Sequence, residues 1–390
     1  MKRLTSVLIA VLVGLFAVFP FLASETRPTV SESLPAQGGG TLNLDAKGAI
    51  LMEAGTGTVL YAEGAEEKLY PASVTKIMTM LLVMEALDNG VISENDLVTA
   101  SEHACSYGGT QIYLEPGETM TVRDLLKAVS INSANDAAAA LAEFVAGSEG
   151  AFVAQMNEKA EDLGMNNTNF VNPCGLPDPE HYTCAYDVAL MTGELLKHPH
   201  ILDYTGIWMD SLRNGSFGLA NTNKLLKTYR GMTGMKTGYT DEAGHCLSAT
   251  ATRDGMTLIA VVLGGSTSRG RFSSAAALLD YGFSGFTVVT RSVGELSPVA
   301  VKKGVADWVP VRAEGSLTLV LPKNNTSALT MEVKTEEFVQ APVSAGQVVG
   351  FARFLRDGEE VLSVPVVATQ AVEKAGFSEN LTSILEQLFG

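Results

Sequence analysis

Apolar and polar positions fall into distinct textures along the chain. Ala49-Ile50-Leu51-Met52 and Thr58-Val59-Leu60-Tyr61 flank Gly55-Thr56-Gly57, a pattern that predicts a β-hairpin. Helical periods then take over. Pro71 suits a helix start and Asn89-Gly90 its end, around a run from Leu81 to Leu87 that is apolar apart from Glu85. Thr121-Val122-Arg123-Asp124 reads as a capping box ahead of Leu125-Leu126. Helices are expected over Asp136 to Val145, Gly150 to Leu163 (closed by Gly164) and Tyr186 to Leu196. Strand patterns return at His245 to Thr252 and Met256 to Leu263, with Arg253-Asp254-Gly255 as the turn, and Phe272 to Tyr281 reads as a closing helix. Strands at both ends with helices between predict an α+β domain whose sheet joins the two ends.

From about Thr290 the texture changes. Val299-Ala300-Val301, Trp308-Val309-Pro310-Val311, Leu317 to Leu321, Leu329 to Val333 and Val361 to Val367 are short strands separated by turns. They predict a small β-sandwich as a separate domain. The last residues differ again: Phe377, Leu381, Ile384, Leu385, Leu388 and Phe389 form one helical stripe. Such an amphipathic helix suits a membrane surface or the flank of the sandwich. Its polar face holds Glu373, Glu379 and Glu386 against Lys374, so anionic lipid would not attract it.

At the other end, Lys2-Arg3 precede an almost wholly apolar run from Val7 to Ala23, and small residues follow at Ala23-Ser24. This reads as a secretory signal cut near Ser24, the alternative being an uncleaved anchor. Either one places the protein outside the cytoplasm. The expected layout is a signal over 1–24, a flexible leader over 25–41, the α+β domain over 42–287, the sandwich over 290–370 and the tail over 371–390.

The formal net charge of −16 argues against nucleic acid as a partner. Four cysteines, Cys105, Cys174, Cys184 and Cys246, permit disulfides outside the cell, and Cys174 with Cys184 is a candidate pair. No Cys or His spacing suggests zinc, and the five histidines form no constellation, so neither a metal nor a cofactor is expected.

The candidate chemistry begins at Pro71-Ala72-Ser73-Val74-Thr75-Lys76. Three residues turn a helix by about 300°, so Ser73 and Lys76 emerge on nearly the same face. A serine hydroxyl needs a nearby base, and a desolvated lysine can be one. The amide at a helix N-terminus is unpaired and can hold an oxyanion. Ser-x-x-Lys alone fits a helix cap and a snorkelling lysine equally well. Two further motifs follow in order: Ser133-Ala134-Asn135 at a break between helices, and Lys236-Thr237-Gly238 ahead of paired strands. Together the three form the set of the penicillin-recognising serine enzymes.

With its flanking signatures, the sequence resembles the low-molecular-mass penicillin-binding proteins of the D-alanyl-D-alanine carboxypeptidase type, peptidase family S11. Those signatures include Leu163-Gly164-Met165, Asn172-Pro173 with Gly175-Leu176, and Arg271-Phe272 with Tyr281-Gly282-Phe283, and the similarity spans Ala46 to Phe286. The resemblance implies an antiparallel sheet with helices on both faces. It makes Ser73 the nucleophile and Lys76 its base. Ser133 would relay a proton and Asn135 would position Lys76 and the substrate. The amides of Ser73 and Tyr239 would form the oxyanion hole. Lys236, Thr237, Gly238 and Arg271 (with Arg269 as rival) would receive the substrate carboxylate. The implied partners are peptidoglycan stem pentapeptides ending in D-Ala-D-Ala, and β-lactams as covalent inhibitors. One position departs from the pattern: Cys174 stands where relatives usually have histidine. A class A β-lactamase shares the motifs but adds a Glu-x-x-Leu-Asn glutamate, which Glu158 and Glu161 do not match, and the β-rich region after Thr290 is foreign to it. A penicillin-binding sensor without turnover is the other alternative, yet all the catalytic side chains are present.

Overall fold

Strands from the two ends of the α+β segment meet in one sheet. The computed structural model describes residues 42–315, 317–324, 329–356 and 358–376. The expected signal, leader and tail stripe lie outside the described residues. Strands β1 (Gly48–Glu53) and β2 (Val59–Glu63) come from the front, and β3 (Met232–Thr240), β4 (Gly244–Arg253) and β5 (Met256–Gly265) from the back. Their order is β2-β1-β5-β4-β3, with every neighbour antiparallel.

The central strands are buried on both faces. Ile50 and Met52 of β1, with Ile259, Val261 and Leu263 of β5, face one core, while Ala49, Leu51, Leu258, Ala260 and Val262 face the other. That two-residue alternation is the pleat. The first core is covered by α1 (Lys76–Asp88), α2 (Asn135–Ala146), α3 (Glu149–Asp162) and α4 (Ala185–Leu195). Helix α5 (Ser268–Gly285) covers the second with Phe272, Ala275, Leu278, Leu279 and Phe283. Each fully buried leucine there contributes roughly 2–3 kcal/mol. Helix α1 is apolar on all sides and buried along most of its length, as suits the central helix of a bundle.

Three sequence expectations for this domain need correction. The helix from Pro71 is compound: Ala72–Thr75 form a 3-10 turn and the α-helix starts only at Lys76. Lys236 lies in the middle of its strand, because β3 begins at Met232 and is interrupted by a bulge between Met232 and Gly234 that hides the alternation. The closing helix extends from Ser268 to Gly285, four residues further at each end than predicted, with Thr267 as its N-cap.

The C-terminal strands form the expected sandwich. A ribbon of β6 (Phe286–Arg291) leads into β7 (Val299–Lys302), β8 (Trp308–Val309), β9 (Val311–Ala313), β10 (Leu317–Pro322), β11 (Leu329–Thr335), β12 (Phe338–Gln340), β13 (Val348–Arg356) and β14 (Glu359–Ala368). Sheet β8-β7-β12 faces sheet β9-β14-β13-β11 around Val301, Val309, Val339, Ala352, Phe354 and Val366, and β6 pairs with β10. The predicted single strand at Trp308 to Val311 is two strands in different sheets. Pro310 has no N–H to give a ladder, so the chain changes sheets there. Beyond β14, Val372 bridges to Val343 and Lys374 to Gly304, still on the sandwich.

Candidate active site

The three motifs meet at one end of the sheet. Ser73 sits in the 3-10 turn, where amides lack intrahelical acceptors. Lys76 opens α1 and is wholly buried. Its Nζ donates to Ser73 Oγ at 3.0 Å, Asn135 Oδ1 at 2.6 Å and the Cys174 carbonyl at 2.8 Å. Three acceptors match the three protons of an ammonium, yet none is a carboxylate. Burial lowers the Lys76 pKa from 10.5 to about 8, while charge from Cys174 and Asp136 pulls the other way.

Each partner of Lys76 is itself fixed. Asn135 begins α2, and its Nδ2 donates to the Gly108 carbonyl at 2.7 Å. The side chain is therefore oriented with its oxygen towards the lysine. Ser133, nearly buried, has φ +66 and closes a π-helical turn over Ala128–Asn132. Such turns cluster at functional sites. Asp136, which follows Asn135, accepts from the amides of Ile112 and Leu114 and ties down the adjoining loop.

The Cys174 carbonyl belongs to a loop built around Asn172. The Asn172 Oδ1 accepts from the amides of Cys174, Gly175 and Leu176, and its Nδ2 donates to the Leu176 carbonyl. Thr79 of α1 donates to the Pro173 carbonyl at 2.5 Å. Gly175 has φ +87, and a Cβ there would lie 1.8 Å from the Ala72 carbonyl oxygen. Only glycine lets this loop reach the serine turn. Below it, Val171 N donates to His181 Nδ1 at 3.0 Å, which puts the ring proton on Nε2, facing Thr75 Oγ1 at 2.8 Å. Burial lowers the His181 pKa to about 4, so it stays neutral.

The other wall is β3. Lys236 is buried and its Nζ donates to the Thr237 carbonyl at 3.0 Å. Its pKa lies well below the ordinary lysine value, first through burial and then through the positive charges of Lys76 and Arg271. Thr237 donates its hydroxyl to Thr222 Oγ1 at 2.6 Å. Gly238 abuts the nucleophile: a Cβ there would stand 2.9 Å from Pro71 O and 3.0 Å from Ser73 N. Tyr239 follows on the strand, its exposed ring stacked on His245 with centroids 4.5 Å apart. Arg271 Nη1 donates to the carbonyls of Gly238 at 2.8 Å and Cys246 at 3.3 Å. Arg269 does not join this group; it is exposed in a separate groove with Lys224 and Phe272.

The structure thus brings together Ser73, Lys76, Asn135, Lys236, Gly238 and Arg271, with Thr237 and Tyr239 flanking Gly238 on β3 and Ser133 two residues before Asn135. Sequence reasoning missed Asn172, Thr222 and the Cys174 carbonyl. The Asn-Pro dipeptide was a signal for the first, but a backbone acceptor has no sequence signature. All four cysteines are free thiols. Cys174 Sγ donates to Asn172 Oδ1 at 3.4 Å, and Cys184 caps α4 by accepting from Asp187 N at 3.5 Å, so the candidate bridge is not formed. Glu158 and Glu161 are exposed on α3.

This fold, with its three assembled motifs, is that of the penicillin-recognising serine enzymes. The chain belongs to the peptidase S11, D-alanyl-D-alanine carboxypeptidase family, whose model matches residues 33–267, and residues 289–374 match the penicillin-binding protein 5 C-terminal domain. It is 43% identical over 384 residues to the D-alanyl-D-alanine carboxypeptidase DacF of Bacillus subtilis (strain 168), covering 97% of this chain and 96% of the relative. Penicillin-binding protein 5 from Haemophilus influenzae superposes with a TM-score of 0.77 at 31% identity, over 86% of this chain and 100% of that one. Penicillin-binding protein D2 from Listeria monocytogenes, in its ampicillin-bound form, matches with a TM-score of 0.58 at 34% identity, over 63% of this chain and 100% of that one.

Proposed function

We propose that the protein is a serine-type D-alanyl-D-alanine carboxypeptidase that removes the terminal D-alanine from peptidoglycan stem pentapeptides. The observation that carries this is Lys76: a buried amine 3.0 Å from Ser73 Oγ, with its proton affinity lowered by desolvation. Once Lys76 is neutral, the hydrogen bond reverses, and the Ser73 hydroxyl gives its proton to the amine as Oγ attacks the scissile carbonyl. The amides of Ser73 and Tyr239 stabilise the oxyanion, an assignment favoured by the close packing of Gly238 on Ser73 N. As the C–N bond breaks, Ser133 gives its proton to the departing D-alanine amine and is reprotonated from Lys76, leaving an ester on Ser73 and a neutral lysine. Water attacks that ester, and the serine recovers its proton.

Thr237, Lys236 and Arg271 receive the substrate carboxylate through charge-assisted hydrogen bonds. That anion favours a proton on Lys236, and the resulting positive charge opposes one on Lys76, so the base is readied when substrate binds. A β-lactam, which also presents a carboxylate and a reactive carbonyl, acylates Ser73 and stays. The apolar run at Val7 to Ala23 supports an extracytoplasmic location, and the stripe from Phe377 to Phe389 supports contact with a membrane surface.

D-alanine release from a stem pentapeptide tests the reading. Wild-type protein releases it and Ser73→Ala does not. Covalent penicillin labelling retained at the same place in Ser73→Ala would overturn the assignment of the nucleophile.

A further inference from the structure

In a chain with 43 acidic and 27 basic residues, no Asp or Glu occurs between Asp210 and Asp241, while Arg213, Lys224, Lys227, Arg230 and Lys236 do. Arg213 pairs with Glu118 and Lys236 is buried in the site. The remaining three are exposed along the segment that leads into β3. Among the described residues none of them has an acidic partner, and neither does Arg269 across from them.

Lys224 and Arg269 frame a groove of about 520 Å³. Its floor is apolar, made by Leu225 and Phe272, both largely buried, and no acid lines it. Leaving two cations unpaired around an apolar trough gives nothing to folding, because a lone surface charge has no local attraction to gain. It does give a receptor for a ligand with an anionic group on an apolar or sugar body.

The groove adjoins the active site along the chain, although none of the residues that line it belongs to the three motifs. Thr222, which accepts the hydroxyl proton of Thr237, lies two residues before Lys224, within about 7 Å along the chain. Arg271, which donates to the Gly238 carbonyl, lies two residues after Arg269 on α5. A ligand in the groove would therefore contact segments that continue, two residues away on each side, into partners of β3.

We propose that this groove is an accessory subsite for the cell-wall polymer, in which Lys224 and Arg269 bind a carboxylate of a peptide stem other than the one being cleaved. Lys227, whose Nζ lies over the Trp208 ring at 5.0 Å, and Arg230 add positive charge on the same segment. The inference deepens the proposed function: it rests on peptidoglycan being the substrate and assigns how the polymer, as distinct from a short peptide, is recognised. The local charge draws in an anionic strand that the protein as a whole repels.

The test compares two substrates. D-alanine release is measured with a short soluble stem pentapeptide and with uncross-linked peptidoglycan polymer, for wild type and for the double variant Lys224→Glu/Arg269→Glu. The expected result is an unchanged kcat/KM for the peptide and a KM for the polymer raised about tenfold. The wild-type advantage on polymer falls as salt is raised. Equal losses on both substrates, or no loss on either, overturn the proposal. Cosedimentation of both proteins with insoluble peptidoglycan reads the groove even if no D-alanine is released, so failure of the catalytic reading and failure of the subsite are distinguishable. A second arm removes phosphate-bearing polymers from the peptidoglycan beforehand. Persistence of the variant's defect supports a stem carboxylate, and its disappearance assigns the groove to phosphate and overturns the proposal as stated.

Discussion

The five-stranded sheet with its helices and the C-terminal sandwich use burial in opposite ways. In the first region Lys76, Lys236, Asp136, His181, Asn135, Thr237 and Arg271 are all buried. In the sandwich no polar or charged residue among the described residues is wholly buried, although the Nε atom of Arg353 is out of water; its core is Val301, Val309, Val339, Phe354, Val366 and similar side chains. Removing a polar group from water costs free energy unless its partners are replaced, and for a charge the cost is larger. A sandwich that only has to hold its shape avoids that cost. The catalytic region accepts it because the same desolvation lowers the affinity of Lys76 for its proton. Each buried polar group there also needs others to hold it, which is why the site extends outward to Asn172, Gly108 and His181.

The largest consequence follows from the nucleophile. Ser73→Ala is expected to lower D-alanine release by at least about 10⁴-fold and abolish penicillin labelling, with an unchanged melting temperature. The base comes next. With Lys76 near 8, kcat/KM for the pentapeptide rises about tenfold per pH unit below that value and levels above it. Lys76→Arg, whose guanidinium does not deprotonate, removes both the activity and that limb of the profile. A profile flat from pH 6 to 9 would remove Lys76 from the role of base.

How far the sequence reveals the two regions differs for the same reason. Ser73, Lys76, Ser133, Asn135 and Lys236-Thr237-Gly238 are legible because chemistry fixes side-chain types at set spacings. Strands such as β1 and β5 are legible because their apolar runs are uninterrupted. The start of β3 is not: Gly231, Gly234 and the threonines around them carry no alternation, and a bulge breaks the period. In the sandwich, β12 and β13 were missed because Phe338, Val348 and Phe351 are exposed although apolar, which blurs the inside-outside pattern. What no pattern could supply is contact between distant backbone and side chain, such as the Cys174 carbonyl on Lys76 or Gly238 against Ser73.

That last contact yields a prediction of intermediate size. In Gly238→Ala the new Cβ meets Pro71 O, Ser73 N and Ala72 Cβ at 2.9, 3.0 and 3.1 Å, so β3 must move off the serine turn. A shift of a few tenths of an ångström misplaces both amides of the proposed oxyanion hole. Acylation by a β-lactam is expected to slow by about 10- to 100-fold. Stability falls by about 1–3 kcal/mol, because the buried strand is forced off backbone atoms it packs against.

His181 gives a smaller effect and confines it to acid. Its folded pKa is about 4 against 6.5 for the free side chain, so the unfolded chain binds the proton more readily. The stabilisation is complete above about 6.5 and is lost as pH falls through about 4, amounting to roughly 3 kcal/mol. Urea midpoints measured from pH 7 to 4 should fall accordingly. His181→Gln, which cannot titrate, should flatten that part of the slope. An equal slope in the variant would assign the acid loss elsewhere.

The smallest expected effect lies where the two regions join. Lys323, at the end of the β6–β10 ribbon, donates its Nζ to the Phe283 carbonyl at 2.7 Å, close to the C-terminus of α5. A cation there satisfies a helix carbonyl and opposes the negative end of the dipole. The lysine is exposed, so solvent replaces most of what its loss removes. Lys323→Ala is expected to cost at most about 1 kcal/mol and to leave kcat/KM for the pentapeptide unchanged. The ribbon reaches the catalytic region through Phe286 and Val320, which sit in the core beneath α5, on the face of the sheet opposite Ser73 and Lys76. Activity should therefore be insulated from the junction by the sheet itself. A Lys323→Ala protein with a changed pH limb near 8 would mean that the sandwich reaches Lys76, and the division of labour between the two regions would fail.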